Sequence, residues 1–181
     1  MRAIGYIHVP KTGGLSVRMS INALKSQQVK YLGHRPNCEN FEREYITVAV
    51  LRNPYDIFLS GYRFYRSMYV DNLPGYSIQD HIDKITIKGF DGYRNKWFKY
   101  KQPQHLIMFE SLQHDWIELL RMYDIPHDNQ LPHLHNTMCD KSLESVPTTC
   151  ESEQIKSIVA NDVKYYNKLS NDYIHKKGST T

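Results

Sequence analysis

The run Tyr45–Leu51, with the sequence YITVAVL, predicts the clearest strand of the chain because it is uninterrupted and rich in β-branched residues. It leads into a helix start in which Asn53 suits the N-cap, Pro54 suits the first helical position and Asp56 lies in the first turn. We therefore predict a strand followed by a helix that extends to about Met68. Such a unit restricts the chain to folds in which helices pack on a sheet.

The same alternation continues on both sides of this unit. Further strands are predicted at 3–9, 29–32 and 106–109, and further helices at 15–26, 78–87, 112–123 and from 148 onward. Thr148 and Glu151 have the spacing of a capping box at the start of the last helix. Strands that alternate with helices imply right-handed crossovers and a parallel sheet with helices on both faces. The predicted fold is therefore α/β, a single three-layer domain over residues 1–174 with a disordered tail at 175–181.

The composition suits one globular domain. The chain has 181 residues, of which 40% are hydrophobic and 23% are charged, which excludes a disordered chain, a collagen-like fibre and a disulfide-dense miniprotein. The formal net charge of +4 favours an anionic ligand but does not by itself indicate nucleic acid. No apolar run reaches the roughly 18–20 residues of a membrane span, and three cysteines cannot form a complete disulfide framework. We expect a cytoplasmic protein with free thiols and no membrane span.

The first predicted strand is followed by a loop suited to bind an anion, Pro10-Lys11-Thr12-Gly13-Gly14-Leu15-Ser16. Its two glycines allow positive φ and a close approach of backbone N–H groups to an oxyanion. The following helix start adds partial positive charge, Thr12 and Ser16 offer hydroxyls, and Lys11 is a mobile cation. A tight turn with a solvated lysine is the alternative. The loop is not a Walker A motif, because Lys11 precedes the glycines instead of following them.

A second anion site is predicted where the strand Tyr45–Leu51 ends. Arg52 follows the strand directly, and Ser60 lies about two turns into the next helix. A guanidinium fork and a hydroxyl suit a phosphate; alternatively, Arg52 bridges to a carboxylate and Ser60 only packs. Because ligands bind at the carboxyl ends of parallel strands, Arg52 and Lys11 are expected at the same edge of the sheet.

Together these segments resemble a known pair of motifs. HVPKTGGLS, residues 8–16, resembles the 5′-phosphosulfate-binding loop of the sulfotransferase superfamily, and VLRNPYDIFLSGY, residues 50–62, resembles its 3′-phosphate-binding strand and helix. The likeness is greatest to the carbohydrate sulfotransferases of the glycosaminoglycan type. Looser matches at 33–36, 108–112 and 131–137 extend the resemblance over about residues 4–174.

The resemblance implies a P-loop-like domain that transfers a sulfuryl group from 3′-phosphoadenosine 5′-phosphosulfate (PAPS) to an acceptor hydroxyl by in-line displacement. The product nucleotide is 3′,5′-adenosine bisphosphate (PAP), and no metal is required. Lys11 would contact the 5′-phosphosulfate and stabilise charge on the leaving phosphate oxygen. The other residues with implied cofactor contacts are Thr12, Gly13, Gly14, Leu15 and Ser16 at the 5′ end, Arg52 and Ser60 at the 3′-phosphate, and Asn136 and Thr137 near the cofactor.

The acceptor hydroxyl needs a general base, and His34 is the candidate. It follows the second predicted strand at the same sheet edge, and imidazole suits proton transfer near neutral pH. Some glycan sulfotransferases carry their catalytic histidine in a similar place. A purely structural His34 is the alternative, and His8 is interpreted as structural. The other candidate bases are His133, His135 and Glu110. His133, His135 and Cys139 lack a fourth ligand at a suitable spacing, so no metal site is predicted.

Residues 84–101 contain six lysines and arginines and one aspartate. They form either a solvated surface or a groove for an anionic glycan, in which Tyr93, Trp97 and Tyr100 would offer stacking surfaces. The candidate acceptor-binding residues are Arg35, Arg63, Arg66, Lys96 and Trp97. Luminal glycan sulfotransferases generally have an N-terminal membrane anchor, which is not found before the first predicted strand, so we expect either a soluble form or a shortened sequence. The sequence does not choose among a glycan, a lipid, a small alcohol and a protein tyrosine; a carbohydrate or another small alcohol is the expected acceptor.

Two other functions compete with sulfuryl transfer. A P-loop kinase for a small metabolite would need Mg²⁺ and a Walker-type loop, which the position of Lys11 disfavours. A non-catalytic nucleotide-binding module that recognises nucleic acid or an acidic polymer is favoured only by the interleaved aromatic and basic residues of 93–101. No recognised nucleic-acid motif is present, so we expect PAPS and an acceptor as partners, and no nucleic acid.

Overall fold

The computed structural model describes residues 2–24, 26–34, 43–69, 75–98, 102–128, 130–132 and 146–178. Within these ranges the strands and helices agree with the predicted elements to within a few residues. The elements are β1 (Ala3–Ile7), α1 (Gly14–Leu24), β2 (Val29–Gly33), β3 (Tyr45–Leu51), α2 (Pro54–Tyr69), α3 (Ile78–Lys88), a π-helix (Tyr93–Trp97), β4 (His105–Met108), a 3-10 turn (Phe109–Ser111), α4 (Leu112–Met122) and α5 (Thr149–Gly178). The last helix, α5, continues beyond residue 174, where the domain is predicted to end.

The four strands form one parallel sheet in the order β2-β1-β3-β4. β1 lies between β2 and β3, and its pairing with β3 runs from Ala3 opposite Tyr45 to Ile7 opposite Ala49. β4 extends the sheet beyond β3, and their pairing ends with Leu51 opposite Met108. The predicted α/β class with a parallel sheet is confirmed.

Helices cover both faces of this sheet. On one face α1 and α4 pack against the strands around Trp116, whose indole N–H donates to the Ser20 hydroxyl at 3.0 Å. On the other face the π-helix and α5 pack against Ile7 and Leu51, and α2 and α3 pack on α5 around Phe58. Within the ranges given above, every helix is too short or too polar to cross a lipid bilayer.

Two of the helix starts follow from local side chains. Asn53 caps α2, because its Oδ1 accepts the Tyr55 N–H at 2.9 Å. The capping box predicted for α5 is confirmed: the Thr148 N–H donates to the Glu151 carboxylate at 2.7 Å, and the Glu151 N–H donates to the Thr148 hydroxyl at 3.3 Å. The cap of α2 fixes where the chain leaves β3, which is the edge that carries Arg52.

The π-helix has no counterpart among the predicted elements. The Trp97 N–H donates to the Gly92 carbonyl at 3.3 Å and the Phe98 N–H donates to the Tyr93 carbonyl at 2.6 Å, both across five residues. Its sequence YRNKW has neither the period of a strand nor that of an α-helix, so periodicity does not predict it. π-Helical turns are rare in proteins, but those that occur lie at functional sites more often than other elements do. The contacts that this one makes with the end of β3 therefore bear on the candidate site.

Candidate functional site

The two predicted anion-binding segments meet in the middle of one sheet edge. After β1 the chain turns toward β2, whereas after β3 it turns toward β4. The loops that follow β1 and β3 therefore diverge, and such a reversal is where open α/β sheets bind ligands. Lys11 follows β1 and Arg52 follows β3, and Arg52 Nη1 donates to the Lys11 carbonyl oxygen at 2.9 Å. The structure thus brings the two segments together as expected.

The loop after β1 presents backbone donors that the fold leaves available. Lys11 and Gly13 adopt left-handed φ angles of 65° and 76°. Thr12 is fully buried, and its hydroxyl donates to the Val9 carbonyl at 2.7 Å. Within the part of the chain that the structure describes, no backbone acceptor takes the N–H groups of Thr12, Gly13, Gly14 and Leu15. Because these groups lie at the start of α1, they combine with its partial positive charge to suit an anion.

Both glycines of the loop are required by close packing. A Cβ on Gly13 would lie 2.7 Å from Leu112 Cδ2, and a Cβ on Gly14 would collide with the ring of His8. The loop is therefore buttressed by α4 on one side and by His8 on the other. In the first turn of α1 Leu15 is exposed, whereas Ser16 is half-buried and donates its N–H to the Gly13 carbonyl at 3.1 Å.

The Lys11 side chain extends from the loop to α2. Its Nζ lies 4.1 Å from the centroid of the Phe64 ring, a cation–π contact. Burial, followed by the positive charge of Arg52, lowers the pKa of Lys11 to about 8. An ammonium group that lacks an anionic partner and lies near a second cation is one that a bound anion stabilises.

Arg52 is held by three neighbours. Besides its bond to the loop, its guanidinium carbon lies 4.1 Å from the centroid of the Phe109 ring. The Tyr93 hydroxyl accepts the Arg52 backbone N–H at 2.6 Å and donates to the Arg52 carbonyl at 3.0 Å. Arg52 Nε is buried and has no hydrogen-bond partner within the described residues. Burial lowers the pKa of Arg52, and the spare Nε–H is a buried donor that an anionic ligand would satisfy.

Ser60 shares a face of α2 with the residue that contacts the loop. Phe64, which touches Lys11, lies four residues after Ser60, and residues four apart lie on the same side of a helix. Ser60 is half-buried. Arg63, in the same turn, is near enough to Arg52 to help lower its pKa. Ser60 and Phe64 therefore lie on one side of α2, and Arg63 adds a further cation near Arg52.

His34 is exposed at the end of β2, and its ring stacks on His8 with centroids 4.2 Å apart and planes at 30°. His34 Nδ1 lies 3.0 Å from the His8 carbonyl oxygen. Since a carbonyl only accepts, Nδ1 carries the proton, and Nε2 of the neutral ring keeps its lone pair. His8 Nδ1 lies 2.6 Å from the Tyr31 hydroxyl oxygen, and burial, followed by the nearby His34, lowers the pKa of His8 to about 4. His8 is thus a neutral support for the His34 ring.

Among the described residues predicted to bind the acceptor, Arg63 and Arg66 lie on α2, whereas Lys96 and Trp97 lie in the π-helix. Arg66 is half-buried and donates to the Tyr62 hydroxyl at 3.2 Å, and Lys96 pairs with Asp91 on the surface. Trp97 is only 3% exposed, and its indole N–H donates to the Asp91 carbonyl at 3.0 Å. Because its ring is packed against the sheet, Trp97 does not offer the stacking surface that its sequence position suggests.

Several predicted residues lie outside the described part of the chain. They are Arg35, Tyr100, His133, His135, Asn136, Thr137 and Cys139. Glu110, the remaining alternative base, is exposed in the 3-10 turn and lies near enough to Arg52 to favour its charged form. Across the described ranges, no group of three His, Cys, Asp or Glu side chains is arranged to hold a metal ion.

No protein-family model, curated protein or solved structure matches this chain.

Three residues at this edge are not singled out as cofactor contacts by the sequence. Phe109 supports Arg52, Phe64 supports Lys11, and Tyr93 binds the Arg52 backbone. Phe109 follows β4 directly, so its position at a strand end is a signal that could have identified it. Phe64 lies four residues after Ser60, and the helical period could have placed it on the same face. No local pattern connects Tyr93 to Arg52, because 41 residues separate them.

Proposed function

We propose that the protein is a sulfotransferase that moves a sulfuryl group from PAPS to a hydroxyl of a carbohydrate or another small alcohol. The observation that carries this proposal is the 2.9 Å hydrogen bond from Arg52 Nη1 to the Lys11 carbonyl oxygen. It joins the two segments whose sequences resemble the 5′-phosphosulfate and 3′-phosphate motifs. A nucleotide with anionic groups at two positions needs cations at two neighbouring places, and Lys11 and Arg52 supply them.

The groups at this edge fit such a nucleotide. The N–H groups at the start of α1 have no backbone acceptor among the described residues, and the buried Nε of Arg52 has no partner there either. These donors and the Ser60 hydroxyl suit phosphate and sulfate oxygens, which only accept hydrogen bonds. Bound PAPS would supply the sulfuryl group, and the chain would supply the positive charge and the donors that hold it.

Preorganised charge is the main contribution expected of this site. Lys11 and the free N–H groups of the loop stabilise negative charge that develops on the leaving oxygen, without reorganisation during the reaction. Arg52 and Ser60 hold the 3′-phosphate and so orient the nucleotide. His34 Nε2, whose lone pair is left free by the bond from Nδ1 to the His8 carbonyl, accepts the proton of the acceptor hydroxyl.

Calorimetric titration with PAP, AMP and ATP in metal-free buffer tests the proposal. We expect PAP to bind at least about tenfold more tightly than AMP, because a charge-assisted hydrogen bond contributes about 1.5–3 kcal/mol. Lys11→Ala and Arg52→Ala should each weaken PAP binding by about 10–100-fold while the protein still unfolds cooperatively. Transfer of label from PAPS to a panel of sugars and small alcohols then identifies the acceptor.

Arg121→Ala is the matched control for loss of a cation. Arg121 is in the last turn of α4, which begins just after β4 and runs back toward the opposite edge of the sheet. Its loss should leave PAP binding unchanged. Equal affinity for PAP and AMP, or tighter binding of ATP that depends on Mg²⁺, would contradict sulfuryl transfer, and the second result would indicate a kinase.

A further inference from the structure

The hydrogen-bond ladder of the sheet ends immediately before Arg52. The last pair of β3 and β4 is Leu51 opposite Met108, and β1 pairs with β3 only as far as Ala49. The backbone N–H and C=O of Arg52 therefore lie beyond the ladder, in a partly buried position. Backbone polar groups in such a position need other partners if the chain is to hold one conformation there.

A single side chain supplies both partners. The Tyr93 hydroxyl accepts the Arg52 N–H at 2.6 Å and donates its own proton to the Arg52 carbonyl at 3.0 Å. A hydroxyl has one proton and two lone pairs, so this arrangement uses the proton and one lone pair on the same residue. It fixes the backbone at the point from which the Arg52 side chain departs.

Tyr93 is itself firmly held. It is 1% exposed, and its ring stacks on Phe98 with centroids 5.2 Å apart and planes at 19°. It is the first residue of the π-helix, and its carbonyl accepts the Phe98 N–H at 2.6 Å. A Cβ on the preceding residue, Gly92, would collide with the carboxylate of Asp162 on α5. The π-helix is thus locked between the sheet and α5, so the position of the Tyr93 hydroxyl is fixed.

The guanidinium of Arg52 leaves this anchored backbone in a defined direction. Nη1 reaches the Lys11 carbonyl at 2.9 Å, the Phe109 ring lies 4.1 Å from the guanidinium carbon, and Nε is buried with no partner in the described chain. Any rotation of the Arg52 backbone would displace Nη1, Nε and the guanidinium carbon together, away from the Lys11 carbonyl and the Phe109 ring. The donor that remains for a ligand, Arg52 Nε, therefore depends on the Tyr93 hydroxyl for its position.

We infer that Tyr93 is a positioning residue whose hydroxyl sets the selectivity of the site for nucleotides with a 3′-phosphate, acting through Arg52. This inference rests on the proposed function. It assigns a role to the π-helix, and it replaces the acceptor-stacking role that the sequence suggests for Tyr93. Selectivity for the 3′-phosphate is then distributed between the cation and the buried phenol that orients it.

The test compares Tyr93→Phe with Tyr166→Phe. Both substitutions remove only a hydroxyl, and Tyr166 packs on the same core as Tyr93. Calorimetric affinities for PAP and AMP are measured on the wild type and both variants. Tyr93→Phe should weaken PAP binding about tenfold and leave AMP binding within about twofold, as expected for one lost hydrogen bond at the 3′ end. Tyr166→Phe should change neither affinity.

A second measurement does not depend on the nucleotide. Amide hydrogen exchange should be at least about tenfold faster at Arg52 in Tyr93→Phe than in the wild type, with the exchange of residues 46–50 unchanged. Unchanged exchange at Arg52, or a PAP-to-AMP preference that survives in Tyr93→Phe, would overturn the inference. If the wild type shows no preference for PAP, the proposed function fails, and fast exchange at Arg52 would then support only the anchoring of its backbone.

Discussion

His34 stacks on His8 with ring centroids 4.2 Å apart while its Nδ1 donates to the His8 carbonyl oxygen at 3.0 Å. His8 thus contacts both the face of the His34 ring and its Nδ1. Trp97 approaches the His34 ring from another side, with centroids 6.2 Å apart. The exposed imidazole is therefore restrained on several sides, and its Nε2 remains available to a substrate.

This arrangement predicts that His34→Asn strongly slows turnover and preserves nucleotide binding. The asparagine amide can replace the donor at Nδ1, but it has no group in the place of Nε2. We expect transfer of the PAPS sulfuryl group to fall about 10²–10⁴-fold, the usual contribution of a general base, with PAP affinity within about twofold of wild type. His127→Asn is the control, because His127 Nδ1 also donates to a backbone carbonyl, that of Ile125 at 2.8 Å. A fully active His34→Asn would move the base role to another residue.

The lowered pKa of Lys11 predicts that PAP binding weakens above about pH 8. Burial, together with Arg52, lowers this pKa from 10.5 to about 8 in the free protein, and a bound anion raises it again. Only the protonated form pairs with the nucleotide, so the affinity for PAP should be about tenfold lower at about pH 9 than at about pH 7. Calorimetry at both values measures the change.

Lys11→Arg is the matched variant for this titration, because a guanidinium stays charged throughout the range. Its affinity for PAP should be nearly independent of pH between about 7 and 9. If the wild type binds PAP equally well at both values, Lys11 does not pair with the nucleotide in its charged form.

The sequence predicts those parts of the fold that depend on neighbouring residues. Tyr45–Leu51 is a strand with the predicted bounds because its β-branched run is local, and α2 begins at Pro54 because Asn53 caps it. The meeting of Lys11 and Arg52 follows from the parallel order of the strands. The bond between Tyr93 and Arg52 does not, because it depends on a π-helix without periodicity and on tertiary packing across 41 residues.

His81, which is buried, and His8, which is half-buried, predict a loss of stability in acid. Burial lowers the pKa of both His8 and His81 from 6.5 to about 4. Between these values the unfolded chain binds protons that the folded chain does not, so the free energy of unfolding decreases as the pH falls from 6.5 toward 4. After allowance for solvent around these rings, we expect about 1–2 kcal/mol from each histidine. The difference between the free energies of unfolding by urea at about pH 7 and at about pH 4.5 measures the sum of the two contributions.

His81→Phe separates the two contributions. His81 is 2% exposed and lies edge-on to Phe58, with ring centroids 4.9 Å apart, so an aromatic ring fits its site. In this variant the decrease between the two pH values should shrink by the share of His81. A decrease of the same size as in the wild type would mean that groups other than His81 carry the acid sensitivity.

The contact between Gly14 and His8 predicts a strong energetic coupling. In the interior of a helix, alanine is favoured over glycine by about 0.8–1.0 kcal/mol. At Gly14, however, a Cβ would collide with the His8 ring, which the Tyr31 hydroxyl and the stacked His34 hold in place. We therefore expect Gly14→Ala to lower the free energy of unfolding by about 1–3 kcal/mol.

Gly61→Ala and a double-mutant cycle make this last prediction specific. Gly61 lies inside α2, and the nearest atom to a Cβ there is His81 Nε2 at 3.6 Å, an ordinary contact. Alanine should therefore stabilise the protein at this position by about 0.5–1 kcal/mol. In the cycle, Gly14→Ala should cost little once His8→Ala has removed the ring, because no atom remains for the Cβ to meet. If the two substitutions at Gly14 and His8 were simply additive, the His8 ring would not be what excludes a side chain from the start of α1, and its support of the loop after β1 would lose its basis.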